Sequence, residues 1–360
     1  MKNIKNQNFN NQNAIIRVDF NCPIKNGKVL DSFRIDQTIE TFRYLLNSGI
    51  KKVIVLTHLG RPKSKYELDL SLKPVVAYFK EKMISLGFYN LKIKLLDYND
   101  DFSKCLLQAQ AAENGIVFFE NIRFWDKEKQ GDEKFSRQIA GLGVKYINDA
   151  FSVCHRNHAS VTGVAQILPS YSGLLLSREI EEINQAIENP QRPAIAIVGG
   201  AKLDTKIPVL EALIKKYDKI LVGGLVAVEL EKNKEKLDSD IKKNLGKKII
   251  LPLGYMDKDK KDIDLESAQK FAQIIQQAKT ILWNGPLGKF EEKPYHKGSQ
   301  VVGKAVAQSN AYKITGGGET NELLKLLGVF EKIDFISTGG GAMLQYIGGE
   351  KLPGIEVLRN

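Results

Sequence analysis

The chain reads as an α/β protein built from two doubly wound, parallel-sheet (Rossmann-like) lobes joined by an interdomain helix. Three observations predict this. Its 360 residues exceed what one hydrophobic core usually organises. Short β-rich runs alternate with stretches of helical spacing along the whole length, the pattern of parallel sheets covered on both faces. Near the middle, "SREIEEINQAIENP" reads as one helix with no flexible linker beside it.

Taken in order, the strand candidates include "AIIRVDF" (14–20), "KVIVLTH" (52–58) and "GIVFFEN" (115–121) in the first half. The second half offers "AIAIVGG" (194–200), "KILVGG" (219–224), "TILWNG" (280–285) and "DFISTGG" (334–340). Between them lie helical patterns such as "AQKFAQIIQQAK", where Phe271, Ile274, Ile275 and Ala278 fall on one face. The central helix is expected over 177–190. Ser177 is its cap, Glu179, Glu181 and Glu182 suit its N-terminal dipole, and Pro190 stops it. Lobes are therefore expected over 1–176 and 191–345, with 346–360 packing back on the first.

Composition narrows the function class. With 43% hydrophobic and 26% charged residues the chain is an ordinary globular protein. Cys22, Cys105 and Cys154 are too few and scattered for a disulfide framework or metal cluster, which suggests a reducing compartment. The polar start "MKNIKNQNFNNQN" carries no apolar signal region, so a cytoplasmic protein without membrane partner is expected. A net charge of +11 would suit nucleic acid, yet the lysines of "KNKEKLDSDIKKNLGKK" (232–248) are interleaved with acids and lack aromatics, which reads as a solvated face. Eight of the ten arginines lie between Arg17 and Arg178. A planar fork suits carboxylate and phosphate, so the first half is expected to hold a multiply anionic ligand.

Strand ends carry the chemistry. In the second half the strand-like runs end in Gly199-Gly200, Gly223-Gly224, Gly285, Gly316 to Gly318 and Gly339 to Gly341. In an open parallel sheet these junctions converge on one edge, where bare backbone and helix N-termini can receive phosphate. Neither GxxxxGK[ST] nor a helix-opening GxGxxG is present, so this is no P-loop or dinucleotide fold. Lys202 follows one glycine turn and Lys206 lies a helical turn further on, so both ammoniums can reach a phosphate near that helix start. First-half strands end instead in Asp19 and Asn21, His58 and Arg61, Asn121 and Arg123, then His155, Arg156 and His158. Those two histidines are not expected to hold a metal, because no thiolate or carboxylate accompanies them and Arg156 opposes a cation.

Together "IIRVDFNCPI", "THLGRP", "ENIRF", "YINDAFSVCHRNHAS", "VGGAKLDTKI", "LWNGPLGKFE", "GGGET", "STGGGA" and "LPGIEVL" resemble, in order and over nearly the whole chain, the signature segments of the phosphoglycerate kinases. The resemblance implies a glycolytic enzyme moving a phosphoryl group between 1,3-bisphosphoglycerate and MgADP to give 3-phosphoglycerate and MgATP. It implies a triose site of Asp19, Asn21, Arg34, His58, Arg61, Arg123 and Arg156 on the first lobe. On the second it implies a nucleotide site of Gly200, Lys202, Lys206, Gly224, Asn284, Glu291, Gly316, Gly317, Gly318, Glu319 and Thr320, with Glu319 at the magnesium position. Arg34, Lys202, Gly317 and Gly340 are implied at the transition state, together with hinge-bending closure and a monomeric state. This sequence departs from the family pattern at Glu319, usually Asp, at Thr205, at Leu225-Val226, in a shortened 229–265 region and at Asp262 to Glu266. A catalytically weak relative that binds triose phosphate or a partner remains the alternative.

Overall fold

The structure, a computed structural model, describes residues 1–63 and 65–359. It divides into two compact units, Met1–Arg178 with the segment from Leu352 onward, and Glu179–Lys351.

In the first unit six strands form one wholly parallel sheet. They are β1 (Asn13–Val18), β2 (Lys52–Leu56), β3 (Ile93–Leu95), β4 (Gly115–Phe118), β5 (Lys145–Asp149) and β6 (Ser170–Ser172). Their spatial order is β3-β4-β2-β1-β5-β6, so the winding reverses between β1 and β5. Side chains alternate across the sheet as the pleat demands. Ile16, Val18, Val53 and Val55 pack on α1 (Phe33–Asn47) and α2 (Lys73–Ser85) through Ile39, Phe42, Val75 and Phe79. Ile15, Ile54 and Val117 pack on the other face, against α3 (Phe102–Ala111) and, beyond the short α4 (Asp126–Gln130), α5 (Glu133–Ala140). Both faces being covered explains why these strands read as near-continuous apolar runs.

The long helix α6 (Leu174–Glu188) starts one turn earlier than the sequence suggests. Ser177 is thus not its cap: its amide already donates to the Gly173 carbonyl, 3.1 Å away. The buried Leu175 and Leu176 supply the first turn, and Asp149, at the end of β5, accepts from the Leu176 amide at 2.9 Å. A cap from a strand 27 residues away leaves no local signature. The chain passes from the first unit to the second inside α6.

The second unit repeats the plan with β7 (Ala194–Val198), β8 (Lys219–Val222), β9 (Ile249–Ile250), β10 (Thr280–Asn284), β11 (Tyr312–Gly316) and β12 (Phe335–Ser337). All are parallel, in the order β9-β8-β7-β10-β11-β12, with the reversal between β7 and β10. Helices α7 (Ile207–Lys216), α8 (Gly224–Lys232), α9 (Ser239–Asn244), α10 (Leu265–Ile275), α11 (Lys297–Gln308), α12 (Gly318–Leu326) and α13 (Gly341–Ile347) follow the strands. Ile195, Ile197, Ile281 and Trp283 meet Phe271 and Ile275 of α10 and Val302 and Val306 of α11 in one core. The last helix, α14 (Pro353–Glu356), belongs to the first unit, where the Gly354 carbonyl accepts from the Asn148 side chain of β5 at 3.1 Å.

Candidate active site

Because every strand of the first unit's six-stranded sheet points the same way, the residues that follow β1, β2, β4 and β5 share one sheet edge at the winding reversal. Asp19 lies at its centre, 4% exposed. One carboxylate oxygen accepts from Arg34, in the first turn of α1, and from the Ser152 hydroxyl beyond β5; the other accepts from the Asn21 amide at 3.0 Å. Burial alone would raise the Asp19 carboxyl. The Arg34 guanidinium first, then the Ser152 hydroxyl and the Asn21 amide, outweigh it and hold the acid well below the usual carboxylate range.

Asn21 is oriented by its neighbour strand, accepting from the Gly60 amide at 2.8 Å, while the Gly60 carbonyl accepts from Arg123 at 2.9 Å. Burial pulls the Arg123 guanidinium down to about 10, with Arg17 adding repulsion, and its Nε is buried without a partner among the described residues. This cation is short of counter-charge, as an anion site requires. Arg61 and Arg156 are exposed at the same edge. Asn121 instead proves a scaffold residue: fully buried, it donates to the Leu59 and Leu70 carbonyls at 2.7 and 3.0 Å. His155 is half-buried and burial pushes its imidazole down to about 4.

Sequence reasoning did not assign Arg17, yet it is fully buried in β1 and bonded to the His58 ring. An arginine inside an apolar strand run was the signal that could have found it.

In the second unit the glycine turns after β7 and β10 pack backbone to backbone across the reversal. The Gly199 amide donates to the Asn284 carbonyl at 2.9 Å and the Gly200 amide to the Pro286 carbonyl at 2.9 Å. A side chain on Gly199 or Gly285 would overlap the facing turn, and one on Gly340 would stand 3.1 Å from the Gly317 Cα. By contrast Gly318 and Gly341 have nothing within 4 Å. Asn284 and Thr320 are buried and tie the turns together: Asn284 donates to the Gly316 carbonyl at 2.6 Å and Thr320 accepts from the Gly285 amide at 2.8 Å.

A cavity of about 300 Å³ opens beside these turns. Of the expected residues it is lined by Gly200, Gly224, Glu291 and Glu319, and otherwise by Ala201, Leu225, Pro286, Gly288, Lys260, Lys261 and Lys289. Lys202 is exposed and outside this lining. Neither it nor Lys206 sits within a helix, because α7 begins only at Ile207 with Lys206 as its N-cap residue. Lys206 is 5% exposed and its ammonium donates to the Asn284 side chain. Burial pulls it down to about 8, against a smaller upward pull from Glu319.

Glu319 is exposed in the first turn of α12 and faces the cavity. Among the described residues no three His, Cys, Asp or Glu side chains group to hold an ion by themselves. One carboxylate beside a phosphate-sized opening fits magnesium, which is commonly held by one or two carboxylates plus substrate phosphates.

Comparison with known proteins decides the family. The chain matches the family described as PGK: Phosphoglycerate kinase over residues 4–248 and 236–350. The chain belongs to the phosphoglycerate kinase family. It is 35% identical over 396 aligned residues to the phosphoglycerate kinase of Finegoldia magna, covering 99% of this chain and 98% of the relative. The counterpart from Dictyoglomus turgidum is also 35% identical, over 397 residues with the same coverage. These alignments are longer than the chain, so the relatives carry segments this member of the family lacks. Among solved structures, phosphoglycerate kinase from Coxiella burnetii superposes with a TM-score of 0.80 at 30% identity over 99% of this chain and 98% of its own. That from Pyrococcus horikoshii gives 0.81 at 28% identity, covering 100% and 98%. Two six-stranded parallel-sheet units and phosphotransferase activity are therefore properties of this kinase.

Proposed function

We propose a division of labour for the family's reaction, the reversible transfer of the acyl phosphate of 1,3-bisphosphoglycerate to MgADP in glycolysis. The observation that carries it is the arginine-rich edge organised on Asp19 and Arg34, in the same chain as a glycine-turn cavity bearing Glu319. In the ATP-consuming direction the nucleophile is a carboxylate already ionised near neutrality, so no general base is needed. Catalysis rests on alignment and on neutralising charge.

Asn21, His58, Arg61, Arg123 and Arg156 bind and orient the triose phosphate. Asp19 holds Arg34 in place, and Arg34 meets the phosphoryl group in flight. Lys206, Gly316 to Gly318, Gly340 and the start of α12 receive the nucleotide phosphates; Gly200, Gly224 and Glu291 form the wall for the rest of the nucleotide. Lys202, exposed on its turn, is free to reach the transferred group. Glu319 would hold the magnesium that accompanies the nucleotide, which would supply charge neutralisation there. Asn284 and Thr320 act through the turns they tie.

Acceptor and donor are bound by different units, and in-line transfer demands that they meet with water excluded. We therefore also propose closure about α6 in the ternary complex. A scattering profile that fails to contract with both ligands bound counts against it. No helix among the described residues is long and apolar enough to cross a membrane; a cytoplasmic monomer is the working state we propose.

The test is steady-state turnover with 3-phosphoglycerate and MgATP in a coupled assay, with Lys202→Ala as the control for contamination. Turnover that vanishes in the control supports the assignment. Folded protein without turnover refutes it and brings the binding-only alternative forward.

A further inference from the structure

We propose that Arg17 is a positioning residue that fixes His58 as a neutral imidazole with its proton on Nε2. The triose site then presents a neutral N–H donor at that point. The inference rests on the reading of this edge as the triose phosphate site, but its geometry stands independently.

Arg17 is 0% exposed within β1. Each nitrogen of its guanidinium is engaged: Nε donates to the Ser160 hydroxyl at 2.9 Å, one terminal nitrogen to the Val18 and Leu56 carbonyls, and the other meets His58 Nδ1 at 3.1 Å. A guanidinium has donors and no acceptor, so Nδ1 must accept. That places the ring proton on Nε2. A doubly protonated ring would set N–H against N–H in a buried site.

The far end of the chain has a matching direction. Ser160 accepts from Arg17 and its hydroxyl donates to Glu128 at 2.6 Å, while the Ser160 amide donates to the other Glu128 oxygen at 2.8 Å. Tyr146 holds the same turn by donating to the Ser160 carbonyl at 2.7 Å. Glu128 thus answers the charge of Arg17 through a hydroxyl relay, and the guanidinium cannot swing away without stranding a buried carboxylate.

The charged groups facing His58 are Asp19, Arg17, Arg34 and Arg123. Asp19 would favour a protonated ring, and one of its oxygens stands 3.6 Å from Nδ1. That distance is no hydrogen bond, and Asp19 is already engaged by Arg34, Ser152 and the Asn21 amide. Burial, which pushes the ring well below its ordinary value, and three arginines prevail. Nε2 finds no partner among the described residues, which leaves its N–H for a ligand oxygen. The arginines bring the charge; His58 adds a directed bond whose strength does not change as pH crosses the range where histidine usually titrates.

The decisive experiment uses the unmodified protein labelled with ¹⁵N-histidine. The chain has four histidines, and His58→Gln assigns the resonance. Long-range ¹H–¹⁵N correlation from about pH 5.5 to 8.5 spans the ordinary histidine transition near 6.5. The expected spectrum has an unprotonated Nδ1 and a protonated Nε2 for His58 throughout. A proton on Nδ1, or titration inside the window, overturns the proposal. The protonation state is read on the unmodified protein without turnover, and His58→Gln serves only to assign the signal, so loss of the kinase reading and loss of this one are distinguishable.

A second readout separates positioning from mere structure. In folded Arg17→Met the KM for 3-phosphoglycerate should rise about tenfold and become pH-dependent, with a much smaller fall in kcat. Arg17→Lys, which retains a donor to Nδ1, should recover the flat pH profile. A folded Arg17→Met whose KM stays pH-independent counts against the proposal.

Discussion

Lys206 offers a prediction whose size follows from its surroundings. The ammonium is buried beside Asn284, and burial takes it from the ordinary 10.5 down to about 8. In nucleotide-free enzyme at pH 8 it is therefore neutral in about half the molecules, and at pH 7 in roughly a tenth. Phosphate oxygens arriving beside it favour the charged form, so nucleotide binding at pH 8 should take up about half a proton. Isothermal calorimetry in two buffers of different ionisation heat reads that number directly. In Lys206→Met the uptake should vanish and affinity should fall about a hundredfold, as expected for a lost hydrogen bond between charged groups.

The same shift bears on stability, with a definite sign. The folded value lies below the unfolded one, so the unfolded chain binds more protons between about pH 8 and 10.5 and stability rises with pH across that window. At neutral pH the free enzyme bears the full cost, roughly 3 kcal/mol. Lys206→Met removes it and gives up a charge-assisted hydrogen bond of about 1.5–2 kcal/mol. The variant should then be more stable than the parent by roughly 1–2 kcal/mol at pH 7 while binding nucleotide worse. Buffer-independent binding heats at pH 8, or a variant less stable than the parent, would refute the reasoning.

Two further outcomes are expected. Gly285 has φ +93 and faces the Gly199 carbonyl, so Gly285→Ala should cost more than about 3 kcal/mol, seen as a large fall in Tm; Gly318→Ala, with open space around it, should melt at or slightly above the parent temperature yet raise the nucleotide KM. Asp262 is buried, accepting from the Gly298 and Ile263 amides at 2.8 and 2.9 Å, and burial raises its carboxyl to about 6. Its folded value exceeds its unfolded one, so its contribution is complete below about pH 4 and lost as pH rises past 6; denaturant melts should show parent stability relative to Asp262→Asn falling by roughly 3 kcal/mol between pH 4 and 7.

The apolar central strands were legible because both faces are buried, so Val, Ile and Leu run almost without interruption. Their written runs overshoot the observed ends: "AIIRVDF" extends to Phe20 but β1 stops at Val18, and "KVIVLTH" to His58 where β2 stops at Leu56. Of the excess residues Asp19 and His58 leave the ladder to make the site, while Phe20 packs in the core with its amide donating to the Thr57 hydroxyl. Strand β5, "KYIND", is harder to see, because its Asn148 and Asp149 are polar yet fully buried. Their partners, Gly354 and the Leu176 amide, lie far along the chain. No local pattern announces a polar residue satisfied from elsewhere. Arg17 is the same case with a charge, and its role emerges only once Ser160, Glu128 and His58 are beside it.

The glycine turns show how a correct expectation can rest on two causes. Five strand ends rich in glycine suggested bare backbone offered to a ligand. Gly199, Gly285 and Gly340 lack side chains for a different reason, since the turns themselves touch, the first two across the winding reversal and Gly340 against Gly317 of the neighbouring turn. Gly318 and Gly341, by contrast, have open space where a side chain would stand, so there the bare backbone is left for the approach of phosphate. The two groups are nevertheless linked. Close packing of the first draws the ends of β7, β10 and β11 together through Asn284 and Thr320 and holds the start of α12 beside the cavity. Substitution in the first group should therefore abolish binding by losing the fold, and in the second should lose binding with the fold intact, which is why a melting curve must accompany every KM in this region.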